Sequence, residues 1–547
     1  MQPPPRRIAN IGVRFGGNSL PQRIPRMLLH LLAGLSLGCG APDSPRRTDA
    51  PVNDGLPADL WVDATERLLP RTAEWTNRVE LADIDGDGRV DLLFANGGNY
   101  SEPGAAEPNR VFLNRGTGQP FEEATERVFG PITDFARVIK VRDVNSDGLA
   151  DILVGTTFQT QSRLYLGAGQ GTFQEVTATH LPQILLSVGD LELGDADGDG
   201  DLDIVLADWG AGSNMDNIGG RTRLWLNDGD GHFLDSTDAR MPETLLGFSW
   251  DLEFLDFDND FDLDIAVSCK RCYGSSLFVN DGSGHFEEHL TGLPRHSNNY
   301  ELEPMDIDGD GFLDLVTIND GEIVGEVNMM RRQHVFRNNA GGAYVDATEM
   351  LWPASENPGE DDNSAVFLDY DSDGDADFVI GSLTGPDRLL INDGTGRFTM
   401  ASGVFSGAET AGTLSLLMAD LDDDGRLDVV HAQGENPTAV EEKIFLGSGL
   451  DPDTAAPVIG PVDSDVRQDG TVRFRVRIHD RKSPTMPHDW RSVTLRWADA
   501  GSDAEIPMTW YGEYLWFADK PARGLPDASY RVCAVDAAGN ERCSEPL

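Results

Sequence analysis

Positive charge is scarce in this sequence. Lys and Arg together number 43 against 93 Asp and Glu, a formal charge of −50. Such a field repels phosphate backbones, so nucleic acid is excluded as a partner. Long apolar runs are also missing. The one candidate, Met27 to Gly38 (MLLHLLAGLSLG), is about twelve residues long, short of the roughly 20 that span a bilayer. Cysteine is rare, five in 547 residues. Cys269-Lys-Arg-Cys272 has no second pair at metal spacing and no βαβ pattern around it, which argues against a zinc site or a thioredoxin-like redox centre. No G-x-S-x-G, Walker loop or dinucleotide fingerprint occurs, so those chemistries have no motif to rest on.

What is present begins with an address. Arg23 and Arg26 precede the apolar run and Gly38 ends it, the pattern of a secretory signal. The Gly38-Cys39 junction resembles a bacterial lipobox, with Leu35 one place early and Ser36 where an aliphatic residue is usual. The resemblance implies that residues 1–39 form a lipoprotein-type signal, that Cys39 carries a lipid, and that the protein sits at the outer membrane or cell surface. The alternative is an ordinary cleaved signal and a secreted protein. Residues 40–57 (GAPDSPRRTDAPVNDGLP) lack periodicity and read as a flexible tether. In an exported chain the remaining cysteines suit two disulfides, Cys269 with Cys272 and Cys533 with Cys543.

The length suggests two or more domains, and 60 glycines favour a turn-rich, all-β fold. The negative charge is concentrated: residues 1–50 carry +5 and residues 453–547 carry −3, leaving −52 for the middle. There one motif, D-x-[DN]-x-D-G-x-x-D, begins seven times, at Asp83, Asp143, Asp195, Asp256, Asp306, Asp369 and Asp420. The spacings are 60, 52, 61, 50, 63 and 51 residues, a period that suits a four-stranded propeller blade. Each motif lies between alternating apolar segments and is followed by a strand running into a Gly-rich turn, as in LWLNDGDG and LLINDGTG. A third element, F-x-x-x-T or a variant, follows six of the turns. Its seventh copy, WVDAT at Trp61 to Thr65, stands before the first motif. That displacement predicts a seven-bladed β-propeller over residues 58–450, its last blade closed by the N-terminal strand.

These repeats resemble the FG-GAP/VCBS repeats of integrin α-subunit propellers and their bacterial relatives. The resemblance implies an extracellular propeller with calcium in its aspartate loops. The residues give the same ligand reading. Calcium takes six to eight oxygens, and a tight loop turns alternate residues toward one centre. Position 1 is the initial aspartate of each motif. Position 3 is Asp85, Asn145, Asp197, Asp258, Asp308, Asp371 and Asp422; position 5 is Asp87, Asp147, Asp199, Asp260, Asp310, Asp373 and Asp424. Position 7 offers its carbonyl from Arg89, Leu149, Asp201, Asp262, Phe312, Asp375 and Arg426. Position 9 returns Asp91, Asp151, Asp203, Asp264, Asp314, Asp377 and Asp428. Up to seven calcium sites are expected. The fourth is expected to be the weakest or distorted, because Phe261 replaces the glycine of position 6 and Asp262 adds an acid.

His285 to His289 matches H-x-x-E-H, but it lies in a strand-type repeat element and lacks the helix that zinc catalysis needs. After a linker at 451–457, Thr471 to Asp480 alternates with Val472, Phe474, Val476 and Ile478 on one face. Residues 458–547 look like an immunoglobulin- or fibronectin-like β-sandwich. The expected function is a surface binding or adhesion protein for an extracellular protein or glycan, with structural calcium. The alternative is an extracellular propeller enzyme, a lyase or hydrolase of polysaccharide or lipid. Calcium loops and Gly-rich turns fall on one face of the disc. Tyr100, Trp209, Tyr273 and Arg331-Arg332 fall in loops of the other, which makes that the expected ligand face.

Overall fold

A computed structural model of the chain describes residues 55–546, apart from 73, 100–102, 213–218, 273, 297, 320–322, 325–326, 329–332, 436–440, 468–469, 500–501 and 522–528. Cys39, Tyr100, Tyr273 and Arg331-Arg332 therefore lie outside the described residues.

Each aspartate motif is the tight connection between two antiparallel strands. In the first repeat, Thr76–Ala82 leads into the loop and Asp91–Asn96 leads out, with Ala82 opposite Asp91. Arg110–Leu113 and Glu122–Glu123 complete a four-stranded sheet. The same order recurs in six further sheets, whose first strands are Ala136–Arg142, Val188–Gly194, Leu252–Leu255, Asn299–Met305, Asp362–Leu368 and Thr413–Ala419. The chain is thus all-β, a set of four-stranded sheets compatible with a propeller. The last sheet recruits Trp61–Asp63, antiparallel to Lys443–Leu446, with Val62 opposite Leu446. Phe405–Ser406 pairs in parallel on the outer side of that strand.

Sequential first strands lie against one another, and Thr413–Ala419 lies against Thr76–Ala82. These strands are buried nearly throughout because a neighbour covers each side. The core between sheets follows: Leu81, Leu92 and Phe112 of the first sheet share one apolar cluster with Leu416, Val429 and Phe445 of the last. Each such side chain contributes roughly 1.5–3 kcal/mol when fully buried.

Two polar devices join strands and sheets. The threonine of the third repeat element begins a single helical turn, as at Thr125–Val128 and Thr237–Arg240. Its hydroxyl oxygen accepts the N–H of the third strand, from Val111 to Thr125 and from Leu224 to Thr237, both at 3.1 Å. The asparagine of the Gly-rich turn reaches across to the preceding sheet. Asn227, Asn280, Asn338 and Asn392 donate to the carbonyls of Val144, Ala196, Phe257 and Ile307 at 2.8–2.9 Å. Asn114 of the first sheet donates at 2.8 Å to Leu421 of the last.

The C-terminal residues form two more four-stranded sheets. One orders Val458–Val466, Thr471–His479, Leu515–Pro521 and Thr509–Gly512 side by side; the other orders Ser502–Pro507, Trp490–Asp499, Ser529–Asp536 and Glu541–Cys543. Val472, Phe474, Val476 and Ile478 meet Val493, Leu495, Val532 and Ala534 in a shared core. Both expected disulfides are formed, Cys269–Cys272 and Cys533–Cys543. No helix among the described residues is long and apolar enough to cross a membrane.

Candidate metal centre

One internal hydrogen-bond scheme recurs among the loops and holds their carboxylates together, with a variant in the third, where Asp195 accepts from Gly198 and Gly200 at 2.8 and 2.9 Å. The first aspartate accepts backbone N–H groups from positions 5 and 6: Asp83 from Asp87 and Gly88 at 3.1 and 2.8 Å, Asp420 from Asp424 and Gly425 at 3.0 and 2.8 Å. The position 5 carboxylate accepts the N–H of position 7, at 2.8 Å for Leu149 and 3.0 Å for Phe312. Position 6 is glycine in six loops because the backbone is left-handed there, with φ from +79° to +104°.

The ninth aspartate does more than face a cation. It is buried, and its Oδ1 accepts the N–H of the residue that begins the Gly-rich turn: Asn114 to Asp91 and Asn392 to Asp377, both at 2.8 Å. In six of the seven loops Oδ2 accepts the N–H of position 2, as from Ile84 to Asp91 at 3.1 Å. It therefore latches loop, strand and turn together. Burial is the main cause that pushes these groups up, Asp203 to about 8, Asp377 to about 9 and Asp428 to about 8.

Position 3 differs. In five loops its Oδ1 is buried with no hydrogen-bond partner: Asp85, Asp197, Asp258, Asp308 and Asp422. In the sixth loop the orphaned oxygen belongs to Asp375 at position 7. Single oxygens of Asp195, Asp197 and Asp199 lie within 4.8 Å of one another, as do those of Asp83, Asp85 and Asp91 and of Asp306, Asp308 and Asp314. A buried carboxylate oxygen without a donor is costly, and a hard cation satisfies it. The residues present therefore fit calcium. Arg115, Arg240 and Arg337 approach the carboxylates of Asp85, Asp197 and Asp308, yet the orphaned oxygens remain.

The fourth loop is not the distorted one. Phe261 takes the left-handed position with φ +68°, Asp260 N–H still donates to Asp256 at 3.1 Å, and Asp258 keeps its orphaned oxygen. The second loop departs more, because the Asn145 amide donates within the loop to Asp147 at 3.2 Å.

The C-terminal sheets cover this face. Val472, Phe474 and Val476 point into their own core, so the alternate residues Arg473, Arg475 and Arg477 point out. Arg473 donates to the carbonyl of Gly198 in the third loop at 3.3 Å, and Arg475 to Asp262 in the fourth at 3.2 Å. Arg477 reaches Asp256 at 2.9 Å and the carbonyl of Gly311 in the fifth at 3.0 Å. Arg481 donates to the carbonyl of Gly374 in the sixth at 2.7 Å. The hydroxyls of Tyr511 and Tyr514 donate to the carbonyls of Phe261 and Pro304 at 2.8 and 2.9 Å. Sequence reasoning overlooked this docking. Its signal was the alternating arginine stripe beside a strongly acidic repeat region.

The opposite face requires a correction. Trp209, expected on a ligand-binding loop, is 1% exposed. It stacks on Phe248 and meets Trp250 edge-on, each at 4.7 Å. The Arg137 guanidinium lies 3.7 Å above the Trp250 ring and donates to Asn77 at 2.7 Å. Residues from several sheets build this cluster, which is why a large aromatic in a long loop is core here and not a contact surface.

Comparison with known proteins agrees with the repeat pattern. The FG-GAP-like repeat family matches at residues 83–154, 143–206, 306–380 and 369–431, each match opening on the first aspartate of a loop. The phosphatidylinositol-glycan-specific phospholipases D of Mus musculus and Rattus norvegicus are 31% identical over 150 and 152 residues, covering 23% of this chain and 17% of theirs. The chain thus spans under a fifth of the length of these curated relatives. Aspartate loops at a blade-sized period, four-stranded sheets around them and matches that begin on the loops together show that this chain carries FG-GAP-like repeats within residues 83–206 and 306–431.

Proposed function

We propose that the protein is an exported, calcium-stabilised binding or adhesion module: a seven-bladed propeller over residues 58–450, closed by Trp61–Asp63, and an immunoglobulin-like sandwich over 458–547. Pairing of Trp61–Asp63 with the last sheet and of Asn114 with Leu421 supports closure. Two disulfides suit an oxidising compartment. Lipidation at Cys39 places the protein at a membrane surface, with residues 1–39 as signal, 40–57 as tether and 451–457 as linker.

The observation that carries this reading is the arginine stripe across the loops. Loops engaged by the protein's own C-terminal sheets make calcium a structural cement and leave the opposite face for an extracellular protein or glycan. A glycan and surface-protein binding screen of the purified chain, with calcium and with EDTA, tests it. Binding that maps to residues near 97–109 or 383–387 is expected; a footprint on the aspartate loops overturns the assignment of faces.

The partial similarity to the two phospholipases D favours a second reading, an enzyme acting on lipid or polysaccharide. Turnover of phosphatidylinositol-glycan or polysaccharide substrates by the purified chain would establish it in place of the first.

A further inference from the structure

Asp536 ends the strand Ser529–Asp536 and is 1% exposed. Its Oδ1 accepts the backbone N–H groups of Gly539 and Asn540 at 2.6 and 2.8 Å. Its Oδ2 is buried and has no hydrogen-bond partner. An ionised oxygen in that position needs a counter-charge.

The groups around it are also acids. Asp480, just past the strand Thr471–His479, feels the negative charges of Asp453 and Asp536, and Asp453 feels that of Asp536. Burial first, and then these neighbours, push Asp480 up to about 8. Asn540 bridges the cluster: its backbone binds Asp536, and its side chain donates to the Asp453 carbonyl at 3.4 Å. Asp453 Oδ1 accepts from Ala455 N–H at 2.9 Å and from the hydroxyl of Ser372, in the sixth aspartate loop, at 3.4 Å. Arg481 lies beside the cluster, and Lys482 and Arg491 line the same cavity as Asp453 and Asp480, Lys482 pairing with Asp489 at 3.0 Å. The Arg481 guanidinium stands 3.9 Å from Asp480 and donates to the carbonyls of Gly374 and Ala456. Asp453 and Asp480 line a cavity of about 340 Å³, and Ala537, next to Asp536 in the chain, lines it too.

We propose that Asp453, Asp480 and Asp536 form an eighth cation site, of the calcium type, at the seam between the sixth aspartate loop and the C-terminal sheets. Its donors are carboxylate oxygens, which select a hard cation over a transition metal. They come from three separate segments, so no local motif announces them. A cation here supplies the missing partner of Asp536 and ties the segment 451–457 to both flanking units. The site uses none of the repeat motif and stands or falls independently of the loops.

Terbium-soaked crystals of the full mature chain test it directly. An anomalous peak among the three carboxylates is expected. Peaks in the aspartate loops with none at this cluster overturn the eighth site and leave the loop reading intact. Peaks here alone leave the eighth site and remove the loops. In solution, Asp536→Asn and the more exposed Asp480→Asn should each bind one calcium ion fewer per chain after dialysis. Each should also be cut faster by proteinase K within 451–457 in calcium. Two folded variants that both retain the native ion count refute the proposal; if Asp536→Asn fails to fold, Asp480→Asn and the native crystals still decide it.

Discussion

Removing one charge from one loop should have opposite effects with and without calcium. Asp422, at position 3 of the seventh loop, has a buried Oδ1 with no donor. Burial chiefly, then repulsion from Asp424 and Asp420, raise its carboxyl above the usual range. Asp422→Asn keeps the shape and removes the charge. In calcium at 100 times Kd, each site adds about 2.7 kcal/mol to the native state. A variant whose seventh site no longer binds loses that amount. Residues 58–450, unfolding as one unit at about 2.1 cal/mol/K per residue, have an unfolding entropy of about 0.8 kcal/mol/K. The loss is then about 3 °C in Tm. In EDTA the sign reverses, because the variant escapes like-charge repulsion of about 1 kcal/mol. Scanning calorimetry of both proteins in 5 mM calcium, a concentration on the order of 100 times Kd for a tens-of-micromolar site, and in EDTA reads the crossover. A variant that is less stable by the same amount in both buffers refutes the assignment of Asp422 as a cation ligand.

Three further outcomes are expected. Trp209→Ala should cost about 3–5 kcal/mol in urea unfolding, since it empties a fully buried aromatic site; unchanged stability would mean that the Phe248–Trp250 cluster does not hold this face. Asn392→Ala should cost about 3 kcal/mol, because it strips donors from the Ile307 and Ala376 carbonyls and acceptors from Gly394 and Gly396, and a loss below 1 kcal/mol would show that the asparagine bridges are dispensable. Burial beside Phe336 lowers His296 to about 4, so the unfolded chain takes this proton first as pH falls below its own value of about 6.5. That stability is lost between about pH 6.5 and 4, at about 1.4 kcal/mol per unit, and His296→Gln should flatten the stability–pH curve over that window; parallel native and variant curves would contradict it.

The repeat itself was legible because its determinants are local. An aspartate loop needs its donors at alternate positions and a left-handed residue at position 6, and both requirements are written within nine consecutive residues. The strand before each loop follows from period-two alternation and the strand after it from a short apolar run such as Asp91–Asn96, and the disulfides from cysteines three and ten residues apart. The threonine of F-x-x-x-T was visible as a pattern but not as a part, since its partner is a backbone N–H on another strand. Only the tertiary structure decided what each loop and surface faces. Trp209 sits in a long connection that reads as exposed, yet Phe248 and Trp250, from the next repeat, close over it. The arginines between Val472 and Ile478 read as the solvated side of an ordinary strand, and the acidic loops they meet lie 166 to 275 residues earlier in the chain. Asp453, Asp480 and Asp536 belong to no motif. Burial and long-range electrostatics depend on which distant segments converge, and no local window of sequence contains that information.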